Sequence, residues 1–168
     1  MRPIVASLTL ACLTLPLAAV RAEPEAIAAT GQILVTTVHA EGAQVYECKA
    51  DAAGKLVWQF REPIATLLSA GKTVGKHVAG PAWEMADGSA VVAKVAGRAP
   101  GATAEDIPLL KLEVVSQRGS GQLAGVTTVQ RLNTRGGVAE GACSRAGAFL
   151  SVPYSADYAF LRKDVSMR

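Results

Sequence analysis

The chain is 168 residues long, a length suited to one domain. Its 17 basic and 14 acidic residues leave a formal charge of +3, and no stretch clusters Lys and Arg. That distribution excludes the basic stripe with which proteins bind nucleic acid or an anionic membrane surface, so no nucleic-acid partner is expected.

The N-terminus reads as an export signal. Met1-Arg2 is a short positive start, Ile4 to Val20 is apolar and uncharged, and small residues at Val20 and Ala22 precede acidic Glu23-Pro24-Glu25. The expectation is a cleaved signal peptide over residues 1–22, a single domain over 23–168, and a periplasmic or secreted location. Two alternatives stand beside it. The apolar run could stay as an uncleaved anchor, or Cys12 could be lipidated, although Thr9 stands where a lipobox places Leu. Setting aside Arg2 and Arg21 leaves 15 basic against 14 acidic residues, so the mature chain is close to neutral. No later segment is long and apolar enough to be an integral membrane span.

Removing Cys12 leaves Cys48 and Cys143. Two thiols in an oxidising compartment are expected to pair. The bond would close a loop of about 95 residues, worth about 4–5 kcal/mol on a chain-entropy estimate. Two buried free thiols or a metal pair are the alternatives.

Beyond an Ala-rich arm (Glu23 to Thr30), strand periodicity dominates. Gly31 to Val38 is rich in β-branched residues, and Glu41-Gly42-Ala43 reads as a turn. Gln44 to Lys49 alternates, with Val45, Glu47 and Lys49 on one face and Tyr46 and Cys48 on the other. Asp51 to Gly54 turns again, and Lys55 to Arg61 puts Leu56, Trp58 and Phe60 on one side. Glu62 to Leu68 reads as a turn or a single helical turn, followed by a Gly-punctuated passage through Gly80-Pro81. Trp83-Glu84-Met85 is a short strand, Asp87-Gly88 a tight turn, and Ser89 to Ala96 the returning strand. Strands are also expected over Ile107 to Ser116, Leu123 to Leu132 and Tyr154 to Arg162. Asn133 to Gly137 reads as a turn and Gly141 to Ala148 as a loop. Short strands about every ten residues with Gly turns between them predict an all-β fold, an antiparallel sandwich or small barrel of about eight to ten strands.

Several separated motifs point to one family. Gly42-Ala43-Gln44-Val45-Tyr46-Glu47-Cys48 is followed by Trp58, by Gly75 to Glu84 and by Asp87-Gly88-Ser89. Gly119-Ser120-Gly121, Val129-Gln130-Arg131, Thr134 to Gly137, Cys143 and Val152 to Phe160 complete the series. Together they resemble the domain of unknown function 3455, found in exported bacterial proteins and in fungi. The resemblance implies secretion and a shared core plan, and it implies no activity. Some fungal relatives carry a malate dehydrogenase label. This chain has no G-x-G-x-x-G between a strand and a helix, so that label is not carried over.

His77, Trp83, Glu84 and Asp87 form the candidate ligand-binding set, because an imidazole, an indole face and carboxylates suit a small polar ligand or sugar. The structural alternative is a core Trp83, a turn-forming Asp87 and a His77 bonded to a backbone carbonyl. His77, Glu84 and Asp87 could supply three metal ligands, but their spacing fits no metal motif, and no metal or other cofactor is expected. Ser89, His77 and Asp87 lack the G-x-S-x-G elbow of a hydrolase. Tyr154, Ala156 and Tyr158 share a strand face, either a core edge or a stacking wall. The leading expectation is a non-enzymatic exported module that binds a small polar ligand or an envelope protein, or has a structural role. The alternative is a small secreted hydrolase or metal-dependent enzyme centred on His77. Whether the chain is an enzyme is left open.

Overall fold

A computed structural model describes residues 23–164. The expected signal peptide and Cys12 lie outside these residues. The strands are β1 (Gln32–Ala50), β2 (Leu56–Ser69), β3 (Lys72–Val78), β4 (Ala82–Met85), β5 (Ala90–Ala99), β6 (Leu109–Arg118), β7 (Thr128–Gly136) and β8 (Phe149–Lys163). Each pairs antiparallel with its neighbours in sequence, and β8 returns to β1, so the sheet closes into a barrel. The all-β expectation holds, and of the two architectures it allowed, the chain adopts the barrel. Closure leaves no open sheet edge.

Three expected breaks are strand instead. β1 runs straight through Glu41-Gly42-Ala43, and β2 runs through Glu62 to Leu68. Gly42 is there for close approach: a Cβ on it would lie 2.0 Å from Ile64 O of β2. Pro63 pairs with Gln44 beside a register shift at Val45/Tyr46, which leaves Arg61 as the extra residue of β2. A bulge is where a sheet tolerates proline. β7 likewise extends through Asn133 to Gly136, past a second register shift, and starts at Thr128 instead of Leu123.

The arm folds against the outside. A single 3-10 turn, Glu25–Ile27, buries Ile27 completely. Gln130 Nε2 donates to Ile27 O (2.7 Å) and Lys111 Nζ to Ala28 O (2.8 Å). Gly97 of β5 makes room, since a Cβ there would lie 1.9 Å from Ala26 O. This cover explains why Gln130, on the outward face of β7, is buried. Elsewhere the outer face carries cross-strand ion pairs such as Lys94–Glu113 and Arg118–Glu84. No helix among the described residues is long and apolar enough to cross a membrane.

Up-and-down order places the β2–β3, β4–β5 and β6–β7 connections at one end of the barrel. The β1–β2, β3–β4, β5–β6 and β7–β8 connections lie at the other. The apolar core fills the first end with Leu67, Met85, Leu123, Val126 and Phe160, all buried. At the second end the predicted disulfide is formed, joining Cys48 of β1 to Cys143 of the β7–β8 loop with Cα atoms 5.8 Å apart.

Candidate functional site

Inward and outward positions alternate along each strand, and this decides the fate of the candidate residues. His77 of β3 and Trp83 of β4 are directly paired and both point inward. Their rings stack with centroids 4.5 Å apart and planes 4° from parallel. Tyr158 of β8 meets both edge-on, at 5.0 Å and 5.2 Å. Such offset and edge contacts are the favourable ring arrangements.

His77 Nδ1 lies 2.8 Å from Ala82 O, so that nitrogen carries the proton and donates. Burial pushes the His77 pKa down to about 4; the bond to Ala82 opposes the shift and nearby Arg131 adds to it. The ring is therefore neutral at pH 7.

Glu84 and Asp87 are not beside this pair. Glu84 follows Trp83 and so faces outward, where its carboxylate meets Arg118 (3.3 Å) and Lys76 (3.8 Å). Asp87 sits in the β4–β5 turn at the filled end. Its Oδ1 accepts from Ser89 N (2.8 Å) and Ser89 Oγ (2.6 Å), and its Oδ2 accepts from Gln122 N (2.7 Å). Ser89 Oγ in turn accepts from Leu123 N (3.1 Å). These bonds, the Ser89 hydroxyl first, hold the Asp87 carboxyl below its usual range. Ser89 and Asp87 thus fasten the β6–β7 loop, and their hydrogen bonds do not reach His77. Among the described residues, no group of three His, Cys, Asp or Glu side chains is placed to hold a metal ion.

The stacked pair instead forms the inner wall of a cavity of about 520 Å³. The cavity lies on the disulfide side of the packed core, and Phe60, 54% exposed, stands at its rim. Tyr46 packs edge-on against Phe60 with ring centroids 5.8 Å apart. The Tyr46 hydroxyl donates to Gly137 O (2.6 Å), which holds the β7–β8 loop in place.

One wall of the cavity is charged. Arg131 of β7 alternates with buried Val129 and so turns inward, paired with Tyr158. Its Nε donates to Pro108 O (3.0 Å), and its guanidinium borders the Tyr158 hydroxyl. No carboxylate among the described residues pairs with it. The tyrosines around it stay neutral, because burial above all raises the pKa of Tyr46, Tyr154 and Tyr158. Elsewhere in the lining, Trp83 Nε1 is buried without a hydrogen-bond partner among the described residues, and the buried Gln44 side chain borders the Tyr154 hydroxyl. A second depression, of about 710 Å³, lies outside the barrel between the arm and β7–β8, bordered by Pro24, Leu132 and Ala159.

Sequence reasoning thus found His77 and Trp83 of this cavity, offered Tyr158 as a core edge or a stacking wall, and missed Gln44, Tyr46, Phe60 and Arg131 as a group. The signal for Arg131 was present. In a strand whose other same-face residue is Val129, an arginine occupies an inward position.

The fold and cavity define a class: small, closed, antiparallel meander barrels, packed at one end and hollow at the other. Within it, the chain belongs to the family described as Protein of unknown function (DUF3455), whose family model matches residues 28–162. No curated protein and no solved structure matches the chain significantly.

Proposed function

We propose that the protein is an exported binding module that takes a small, partly aromatic molecule into the hollow end of its barrel. The observation that carries this reading is the aromatic-walled cavity of about 520 Å³. Its size falls within the span of small-molecule sites, and an eight-stranded barrel is wide enough for one small ligand. Export is supported by the Cys48–Cys143 bond and by the character of residues 1–22. Binding is favoured over hydrolysis because His77 is buried, neutral and bonded to a backbone carbonyl. The ligand chemistry differs from the carboxylate-bearing set expected from sequence, since the charged side chains lining the cavity are arginines.

The test uses the purified, oxidised protein and the neutral fluorophore N-phenyl-1-naphthylamine. A saturable rise in emission is expected, at about one probe per chain. Val95 lines the cavity and is 39% exposed, so Val95→Trp should block entry without unfolding the barrel. No saturable signal, or a signal that Val95→Trp leaves unchanged, counts against the reading.

A further inference from the structure

We infer that the molecule held in the cavity is an aromatic carboxylic acid, with its carboxylate seated on Arg131. The inference rests on the binding reading above and adds the ligand's charge and the residue that recognises it.

The cavity's polar groups are unbalanced. Arg131 is partly buried, and its guanidinium has no carboxylate partner among the described residues. Its Nε is used by Pro108 O and its border with Tyr158 engages a neutral hydroxyl, so the positive charge is uncompensated. A charge taken partly out of water is costly unless paired. Trp83 Nε1 is also a donor without an acceptor among the described residues, in a side chain only 1% exposed. A buried donor left unbonded carries its own penalty. A cation and an orphan N–H in the lining of one cavity call for an acceptor, and a carboxylate answers a guanidinium with two parallel bonds. Arg98, also at this cavity and without an ion-pair partner among the described residues, adds positive field near the entrance. The aromatic walls, Tyr46, Phe60, Trp83 and Tyr158, favour a flat body over a flexible chain. The volume suits a body of about one or two rings.

The experiment compares 2-naphthoate with neutral, isosteric 2-naphthamide by calorimetry on the oxidised protein. The acid is expected to bind about 10- to 100-fold more tightly, the range of a charge-assisted bond. Arg131→Gln should erase the difference between the two, and Arg131→Lys should keep part of it, because it restores the charge without the fork. The wild-type comparison alone is decisive if Arg131→Gln fails to fold. Equal affinities for acid and amide overturn the inference, as does an Arg131→Gln variant that keeps the full preference. If N-phenyl-1-naphthylamine binds and 2-naphthoate does not, the inference falls while the binding reading stands. If none of the three compounds binds, both fall.

Discussion

At the filled end of the barrel, the turns are held by side chains that reach across the opening. Asp87 and Ser89 of one turn bond the backbone of Gln122 and Leu123 in another. The loop they fasten drives Leu123 and Val126 into the core. Gly121 lets the loop sit this close, since a Cβ there would lie 2.3 Å from the Asp87 carboxylate. At the hollow end the same strands are held from the rim. The disulfide, the Tyr46 hydroxyl on Gly137 O and the Asp106 carboxylate on Gly136 N (2.6 Å) fix the loop edges and leave the middle open. One end spends apolar side chains on a plug; the other uses a covalent bond and polar ties around an opening. The lesson is that a cavity in a barrel this small requires a stabiliser outside its centre.

The largest effect expected from this contrast is at the rim. Cys48→Ser should lower unfolding free energy by about 4–5 kcal/mol at most, since the bond closes a loop of 95 residues. Urea titration of oxidised wild type and variant measures it, and an unchanged midpoint would show that the rim does not depend on the bond. Next comes the plug. Leu123 is 1% exposed, and Leu123→Ala should cost about 3–4 kcal/mol through lost burial and a residual cavity. If the filled end is a sealed core, this variant should not enlarge the ligand cavity, and binding of N-phenyl-1-naphthylamine should persist in native protein. The smallest effect is the acid response of the wall between the ends. His77 binds its proton more weakly in the folded chain (pKa about 4) than in an unfolded one (about 6.5), so stability falls as pH drops through that window. The loss between pH 7 and pH 5 should be about 2 kcal/mol, and His77→Gln should flatten it. The Asp87 contribution is lost at lower pH: the loss begins as pH falls through the ordinary carboxylate range and is complete below the depressed pKa of the folded chain. A wild-type stability curve flat from pH 7 to pH 5 would contradict the burial of His77.

Much of the barrel was legible because alternation survives in single strands. Trp83-Glu84-Met85, the Asp87-Gly88 turn and Ser89 to Ala96 lie where their pattern places them. The failures at Gly42 and Pro63 share a cause. Both residues break strands in isolation, and both are used here where the sheet must bend or bulge to close on itself. That need is tertiary and leaves no local trace. The site was half legible for a related reason. His77 and Trp83 stand close in sequence because a hairpin joins them, and Glu84 and Asp87 looked like partners by the same proximity. In a strand, the adjacent residue points the other way, and Glu84 does. Arg131 and Tyr46 come from strands on far sides of the sequence, and only barrel closure brings them to one cavity.

That closure also sets the order of events when the protein forms. β1 pairs with β8 from Gln32↔Lys163 to Glu47↔Phe149, so the first strand made waits for the last. Contacts this distant in sequence are slow to find, because the chain must lose its freedom before they reward it. Until residues 149–163 are present, β1 has an open edge able to pair with another molecule. Under oxidising conditions that interval is shortened if Cys143 finds Cys48 early. The bond tethers the start of β8 beside the end of β1 and turns the last, most distant pairing of the sheet into a local one.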